Sequence, residues 1–410
     1  MALEVRNVAT DEEFNAWCDA MDVGFYSPKW RGDGPNRRAR YADLGRLWAG
    51  FDGPNVVSTF VSFDLQLTLP GGVQLPIDAI SGVTVAPTHR RRGLASRMMN
   101  IELALAKERG YALAGLVAAE YPIYGRFGFG PATEVAQWTL DARAAAFRTA
   151  LPGTVEFVDA VTARAEVPAL WDRIRAGMVG AVSREPWRWD RDTGQNQPVG
   201  TVLKDVLHAL CRDAQGRIVG YVAYRPVDRW TNQRPDGEIF VQTLIAENPF
   251  YEARLWQFLA EHDWVGRVIG AEHDWIDPLW RDLLVDRRAA WPANAWDFVW
   301  LRVLDPVAAL TARTYARADR IVLRVEDKDG YAEGAYALEV AEDGTATCVP
   351  TRNSADVVVP VDRLASLFLG GFTAERLGAL DLVEELTPGA VARLSALFAL
   401  GTAPHNPMIF

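Results

Sequence analysis

The sequence predicts an α/β (α+β) protein of three successive folded segments, residues 1–148, 149–299 and 300–410. Three observations carry this. The 410 residues exceed what one ordinary core holds, since a domain takes about 150 residues. Apolar runs rich in β-branched residues alternate with runs of helical period, and Gly, Pro and Asp turns separate them. Finally, a strand followed by a proline and then a helix occurs twice, over residues 83–99 and again over residues 241–264.

In the first segment, Thr10 followed by Asp11, Glu12 and Glu13 reads as a helix cap, with Phe14, Trp17 and Met21 at helical spacing behind it. Residues 44–51 and 56–69 read as strands, and Pro70, Gly71 and Gly72 turn the chain back. Residues 77–85 form the strand feeding Arg90, Arg91, Arg92, Gly93, Leu94 and Ala95. A glycine at this junction lets a ligand approach the backbone, and a new helix offers unpaired N–H groups and the positive end of its dipole. Strand, loop and helix together make an anion cradle, with arginines adding charge around it. The helix is expected to bury Leu94, Met98, Ile101 and Leu105 and to end at Gly110. Residues 111–118 read as a buried strand, residues 123–131 as a glycine-punctuated aromatic turn, and residues 135–140 as the last strand of this segment.

The second segment repeats the order of elements without the Arg-x-x-Gly-x-Ala run, as expected of a degenerate copy that serves as scaffold. Its tryptophans, among them Trp187, Trp189, Trp230 and Trp256, read as packing. The repeated Glu261-His262-Asp263 and Glu272-His273-Asp274 invite a metal reading, which their place on different predicted elements argues against; no metal is expected. The third segment has period-two strands at residues 321–325, 335–340 and 345–349 and helical stretches at residues 361–369 and 388–400. It closes on an apolar Met408, Ile409 and Phe410, unusual for a chain end.

Composition narrows the function. With 49% hydrophobic and 23% charged residues the chain reads as folded throughout, and a net charge of −10 argues against nucleic acid and suits cationic substrates. Three scattered cysteines favour neither a disulfide framework nor a zinc site. No signal peptide or membrane span is read, so a cytoplasmic protein without a membrane partner is expected.

The runs VAPTHRRRGL (residues 85–94), IYGRFGFGPAT (123–133), WLRVLDPVAAL (300–310) and the terminal Phe410 resemble the Eis family of multi-domain GNAT acetyltransferases over essentially the whole chain. The resemblance implies tandem GNAT folds, the first active and the second without cofactor, followed by a domain like sterol carrier protein. It also implies acetyl-CoA as co-substrate, amine acceptors such as aminoglycosides, and a homohexamer. Carried over residue by residue, the acetyl-CoA contacts fall on Val83, Thr84, Val85, Arg91, Arg92, Gly93, Leu94, Ala95, Ser96, Ala119 and Glu120. Ala119 offers only its backbone where the family can carry serine. The general acid matches Tyr124, and the general base is the terminal carboxylate of Phe410.

Amine acetylation needs an unprotonated nucleophile, a donor to the thioester carbonyl and a proton for the thiolate. A backbone N–H at or near Val85 could serve as the donor. A tyrosine of reference pKa about 10 can protonate a thiolate of about 8.5. An α-carboxylate near 3.5 is a weak base unless buried, so Glu120 and Asp78 stay open as rivals. Asp22, Phe25 and Trp30, after the first helix, are candidates for holding a cationic acceptor. Protein or peptide lysine acetylation and a non-catalytic acyl-CoA or lipid carrier are the alternatives.

Overall fold

The structure, a computed structural model, describes residues 3–27, 41, 43–195 and 206–410. Two compact units emerge. Met1–Thr133, Phe298–Thr402 and Ile409–Phe410 form the first, and Glu134–Asp297 with Ala403–Met408 form the second.

The first unit contains a seven-stranded sheet. Its strands are β1 (Glu4–Asn7), β2 (Leu47–Asp52), β3 (Asn55–Thr68), β4 (Gln74–Val85), β5 (Leu113–Val117) and β6 (Gly130–Pro131), with Val299–Val303 entering between β5 and β6. The run at residues 135–140, expected to close this sheet, instead forms the strand Glu134–Asp141 of the second unit. Residues 135–140 and 299–303 are both largely apolar and become buried, so hydrophobic pattern alone does not say which sheet receives which. Thr133 makes the exchange: its carbonyl accepts from Phe298 N at 2.9 Å and its hydroxyl from Val299 N at 3.0 Å.

Helix α1 (Asp11–Gly24) is capped as expected, Thr10 Oγ1 accepting from Glu13 N at 3.2 Å. It packs Phe14, Trp17 and Cys18 on Leu47, Ala49 and Val61. Helix α2 (Leu94–Glu108) covers the opposite sheet face, with Met98, Met99, Leu103 and Ala106 against Phe60, Ile80 and Leu116. Its stripe is rotated from the one expected: Glu102 is buried in place of Ile101 and Leu105. The Glu102 carboxylate accepts from Trp48 Nε1 and Ser62 Oγ, both at 2.6 Å, and from Arg109 Nη1 at 2.7 Å, which offsets the cost of burying its charge. The helix ends on a left-handed Gly110 whose N–H donates to the Lys107 carbonyl, while Tyr111 N donates to that of Ala106.

The C-terminal part of this unit is a five-stranded sheet in the order Ala346–Pro350, Gly334–Val340, Asp319–Glu326, Val357–Pro360, Glu384–Glu385, with helices Val361–Phe368 and Ala390–Phe398. Fully buried Arg302 and Asp327 pair through two bonds of 2.7 and 2.8 Å. Gly130 lies so close to helix Val361–Phe368 that a Cβ there would stand 1.8 Å from the Asp362 carbonyl oxygen.

The second unit is an eight-stranded sheet with helices Ala160–Arg175 and Pro249–Ala260 on opposite faces. Gly237–Ala246 and Val265–Ile269 are parallel, and Pro249–Ala260 lies between them in sequence. This repeats the β4–α2–β5 unit of the first sheet.

Candidate active site

Strands β4 and β5 are paired only from Asp78 and Ala114 to Ile80 and Leu116, yet β4 runs on to Val85. Over that extension it is bonded on one side, to β3. A bulge explains the parting. The β3–β4 register shifts opposite Gly82, which has φ +60°, and a Cβ there would come within 3.0 Å of Val61 Cγ1. The edge of β4 toward β5 therefore presents backbone groups around Val83, Thr84 and Val85 to an open slot. Thr84 is buried and its hydroxyl meets Thr59 Oγ1 at 2.7 Å, which leaves Val83 and Val85 half-buried beside it.

Beyond this edge, Arg91 (φ +62°) and Gly93 (φ +78°) take left-handed conformations, and Gly93 starts α2 without any side-chain cap. The first helical bond comes from Arg97 N to Gly93 O at 2.9 Å, so the amides of Leu94, Ala95 and Ser96 precede the intrahelical ladder. Nothing stands within 4 Å of where a Gly93 Cβ would be. Arg90, Arg91 and Arg92 are exposed, and among the described residues no carboxylate forms an ion pair with them. An open helix end with unspent positive charge fits a pyrophosphate. In the second unit, Asn248 Oδ1 accepts from Phe250 N at 3.0 Å and Tyr251 N at 3.1 Å, so the corresponding helix caps itself.

After β5 the chain passes exposed Ala119 and Glu120 into the short helix Tyr121–Tyr124. Tyr124 is 8% exposed and packs edge-on against Phe129, with ring centroids 6.3 Å apart. Its hydroxyl has no hydrogen-bond partner among the described residues. Burial foremost, and then the charge of Glu120, raise its pKa above the usual phenol value against the opposing Arg126. Tyr124 thus keeps its proton at neutral pH.

Phe410 is buried, and Ser81 Oγ donates to its terminal carboxylate at 2.9 Å. Ser81 stands one residue past the last β4–β5 pair, at the mouth of the slot. Sequence reasoning missed it, because Asp78 and Thr84 in the same strand are polar too and nothing local marks Ser81. Of the rival bases, Asp78 is fully buried and bonded to Arg46 Nη2 at 2.6 Å, with its pKa pushed up to about 7 by burial and by Glu102. Glu120 is exposed at the start of the Tyr121–Tyr124 helix. Asp22 lies in the last turn of α1 rather than in the loop after it, and is buried, whereas Phe25 is half exposed. Gly24 is pressed on β4, where a Cβ would sit 2.5 Å from Thr84 Cβ, so this end of α1 borders the strand that carries the slot. Trp30 lies outside the described residues.

The metal reading of the paired Glu-His-Asp runs meets a committed His262: its Nε2 is 2.7 Å from the Tyr224 hydroxyl and its Nδ1 2.9 Å from the Phe258 carbonyl. Among the described residues no cluster of three such side chains could hold a metal ion. No described helix is long and apolar enough to cross a membrane.

Comparison with known proteins agrees with this geometry. Residues 4–132 and 180–303 each match a family described as acetyltransferase (GNAT) domain, and residues 306–407 match the sterol carrier protein domain. An uncharacterised N-acetyltransferase of Streptomyces avermitilis is 40% identical over all of this chain and 99% of its own. The N-acetyltransferase Eis of Mycobacterium tuberculosis is 35% identical over 85% of this chain and 84% of its own. The crystal structure of Eis1 from Mycobacterium abscessus superposes with a TM-score of 0.86, at 28% identity, over the full length of both chains. The parted strands, the uncapped helix end and these relatives agree: the chain belongs to the Eis family of GNAT N-acetyltransferases, enzymes that use acetyl-CoA.

Proposed function

We propose that the enzyme transfers acetyl directly from acetyl-CoA to an amine of a cationic small molecule such as an aminoglycoside. The observation that carries this is the bond between Ser81 and the Phe410 carboxylate at the mouth of the slot. Acetyl-CoA supplies an activated thioester. Arg91, Arg92 and the amides of Gly93, Leu94, Ala95 and Ser96 hold its pyrophosphate, while Val83, Thr84 and Val85 on one side and Ala119 and Glu120 on the other flank its arm. A backbone N–H of the unpaired β4 edge polarises the carbonyl oxygen. The Phe410 carboxylate takes the proton of the attacking amine. As the carbon–nitrogen bond forms and the carbon–sulfur bond breaks, Tyr124 gives its proton to the thiolate. The net charge of −10, with Asp22 and Phe25 at the end of α1 that borders β4, favours a cationic acceptor; Trp30, the third candidate, lies outside the described residues. By family resemblance it works as a homohexamer in the cytoplasm.

Thiol release from acetyl-CoA, measured over aminoglycosides, simple amines and a lysine peptide, tests the reading. Release with the peptide alone makes it a lysine acetyltransferase; none, with tight acyl-lipid binding, makes it a carrier. Tyr124→Phe should lower kcat by about 10²- to 10⁴-fold in a folded protein, and near-wild-type turnover refutes its role as acid.

A further inference from the structure

Strand β4 carries one more residue than β3 across the bulge. Thr59 faces Thr84 and Val61 faces Ser81, so Gly82 and Val83 together stand opposite Phe60. With Gly82 left-handed at φ +60°, this is a bulge of the kind that opens on glycine, and it bends β4 and increases its twist. A bulge also leaves backbone groups out of the ladder, and here one of them is taken up by a side chain. The buried Gly82 carbonyl accepts from Thr59 Oγ1 at 2.7 Å. β5 is no longer paired with β4 at this point, the last partner on β4 being Ile80.

The hydroxyls of Thr59 and Thr84 stand 2.7 Å apart, and Thr59 is fully buried. A count of hydrogens fixes the direction of these bonds. A carbonyl only accepts and a hydroxyl carries one hydrogen, so Thr59 gives its own to Gly82 and receives that of Thr84. The end of α1 closes over Thr84, where Gly24 leaves no room for a Cβ. A planar trans peptide points its carbonyl and the following N–H to opposite sides. Holding the Gly82 carbonyl toward Thr59 therefore aims the Val83 N–H away from Thr59, and fixes the plane from which the rest of the β4 edge continues.

We propose that Thr59 is a positioning residue: together with Thr84 it latches the bulge of β4 and so sets the direction of the backbone N–H groups that face the thioester carbonyl. This rests on the reading that a backbone N–H of the unpaired β4 edge polarises that carbonyl. β3 and β5 flank β4 on opposite edges, so Thr59 stands across β4 from the slot and acts on the reaction only through the bulge. Without its hydroxyl the Gly82 carbonyl is a buried acceptor with no partner, and the peptide turns to find one. The donor edge turns with it. A donor to a developing oxyanion acts chiefly in the transition state, so the loss falls on kcat rather than on binding.

The test uses the full chain. Thr59→Val keeps the shape of the side chain and removes the hydroxyl; it should lower kcat about 10- to 100-fold, with the Kd for CoA within about twofold of wild type. Thr59→Ser, which restores the hydroxyl, should return kcat to within about threefold of wild type. Thr84→Val leaves the bond from Thr59 to Gly82 in place and should cost less than Thr59→Val. The infrared carbonyl stretch of isotope-labelled acetyl-CoA bound to each folded protein reads the contact itself: it should be lowered in wild type and Thr59→Ser, and should move back toward the free value in Thr59→Val. A lowering that Thr59→Val keeps in full, equal kcat in Thr59→Val and Thr59→Ser, or a greater loss in Thr84→Val than in Thr59→Val overturns the latch alone. No lowering in the wild type refutes the polarising N–H, and the latch with it. If Thr59→Val does not fold, Thr59→Cys takes its place, because a thiol donates weakly: a kcat about fivefold or more below that of Thr59→Ser, with CoA binding kept, supports the latch, and a smaller difference overturns it.

Discussion

Replacing Ser81 by alanine removes one hydroxyl and nothing else that the strand uses, because the pairing of Ser81 with Val61 is made by the backbone. The lost bond is a 2.9 Å donation to a carboxylate. Hydrogen bonds to charged groups contribute about 1.5–3 kcal/mol, and 1.4 kcal/mol is a factor of ten, so kcat should fall by about 10- to 150-fold. The cradle from Arg91 to Ser96 is untouched, so KM for acetyl-CoA should stay within about twofold of wild type. The assay is thiol release at saturating acetyl-CoA and amine, with thermal unfolding run alongside. A kcat within about threefold of wild type, in a variant that unfolds normally, would refute the argument that Ser81 holds the reacting carboxylate. Parallel losses in kcat and acetyl-CoA affinity would refute it too, by pointing to a collapse of the slot.

Three further outcomes are expected. Gly130→Ala drives a methyl against the Asp362 carbonyl, so helix Val361–Phe368 must move; a loss of about 1–3 kcal/mol should appear as a Tm lower by several degrees, and an unchanged Tm would refute the close docking. Asp78, pushed up to about 7, holds a proton that the unfolded chain releases near pH 3.9. Its contribution to stability is complete below about pH 4 and is lost as pH rises through about 7, by up to about 1.4 kcal/mol per pH unit. Asp78→Asn should therefore flatten the fall of Tm over that range, and an unaltered slope would place the proton elsewhere. Last, a fragment of residues 1–148 should stay unfolded by circular dichroism, because it lacks Val299–Val303 from the middle of its sheet; a cooperative melt would refute this.

The local backbone of the candidate site was legible where local rules govern it. Gly93 and Gly110 stand where left-handed backbone opens and closes α2, and the apolar Met408 and Phe410 are buried as their chemistry demands. What escaped depends on distant partners. The runs at 135–140 and 299–303 are equally apolar, and only pairing across the intervening chain decides which one lies beside β5. Glu102 joined the buried stripe because Trp48, Ser62 and Arg109 surround it, partners that no helical period announces. Gly128 and Gly130 were legible as a motif but not as packing: the first leaves room for Arg302, the second for Asp362. Ser81 bonds Phe410, and His405 stacks on Trp275, each pair far apart in sequence.

The entry of Val299–Val303 into the first sheet also sets a schedule for synthesis. On the ribosome, β5 emerges with its neighbour still unmade, and the whole of Glu134–Asp297 must follow before the missing strand appears. At about 5–20 residues per second the nascent sheet waits on the order of 10–30 s with an apolar edge open to other chains. Slow codons within Glu134–Asp297 would lengthen that exposure, and chaperone demand during expression should track the delay.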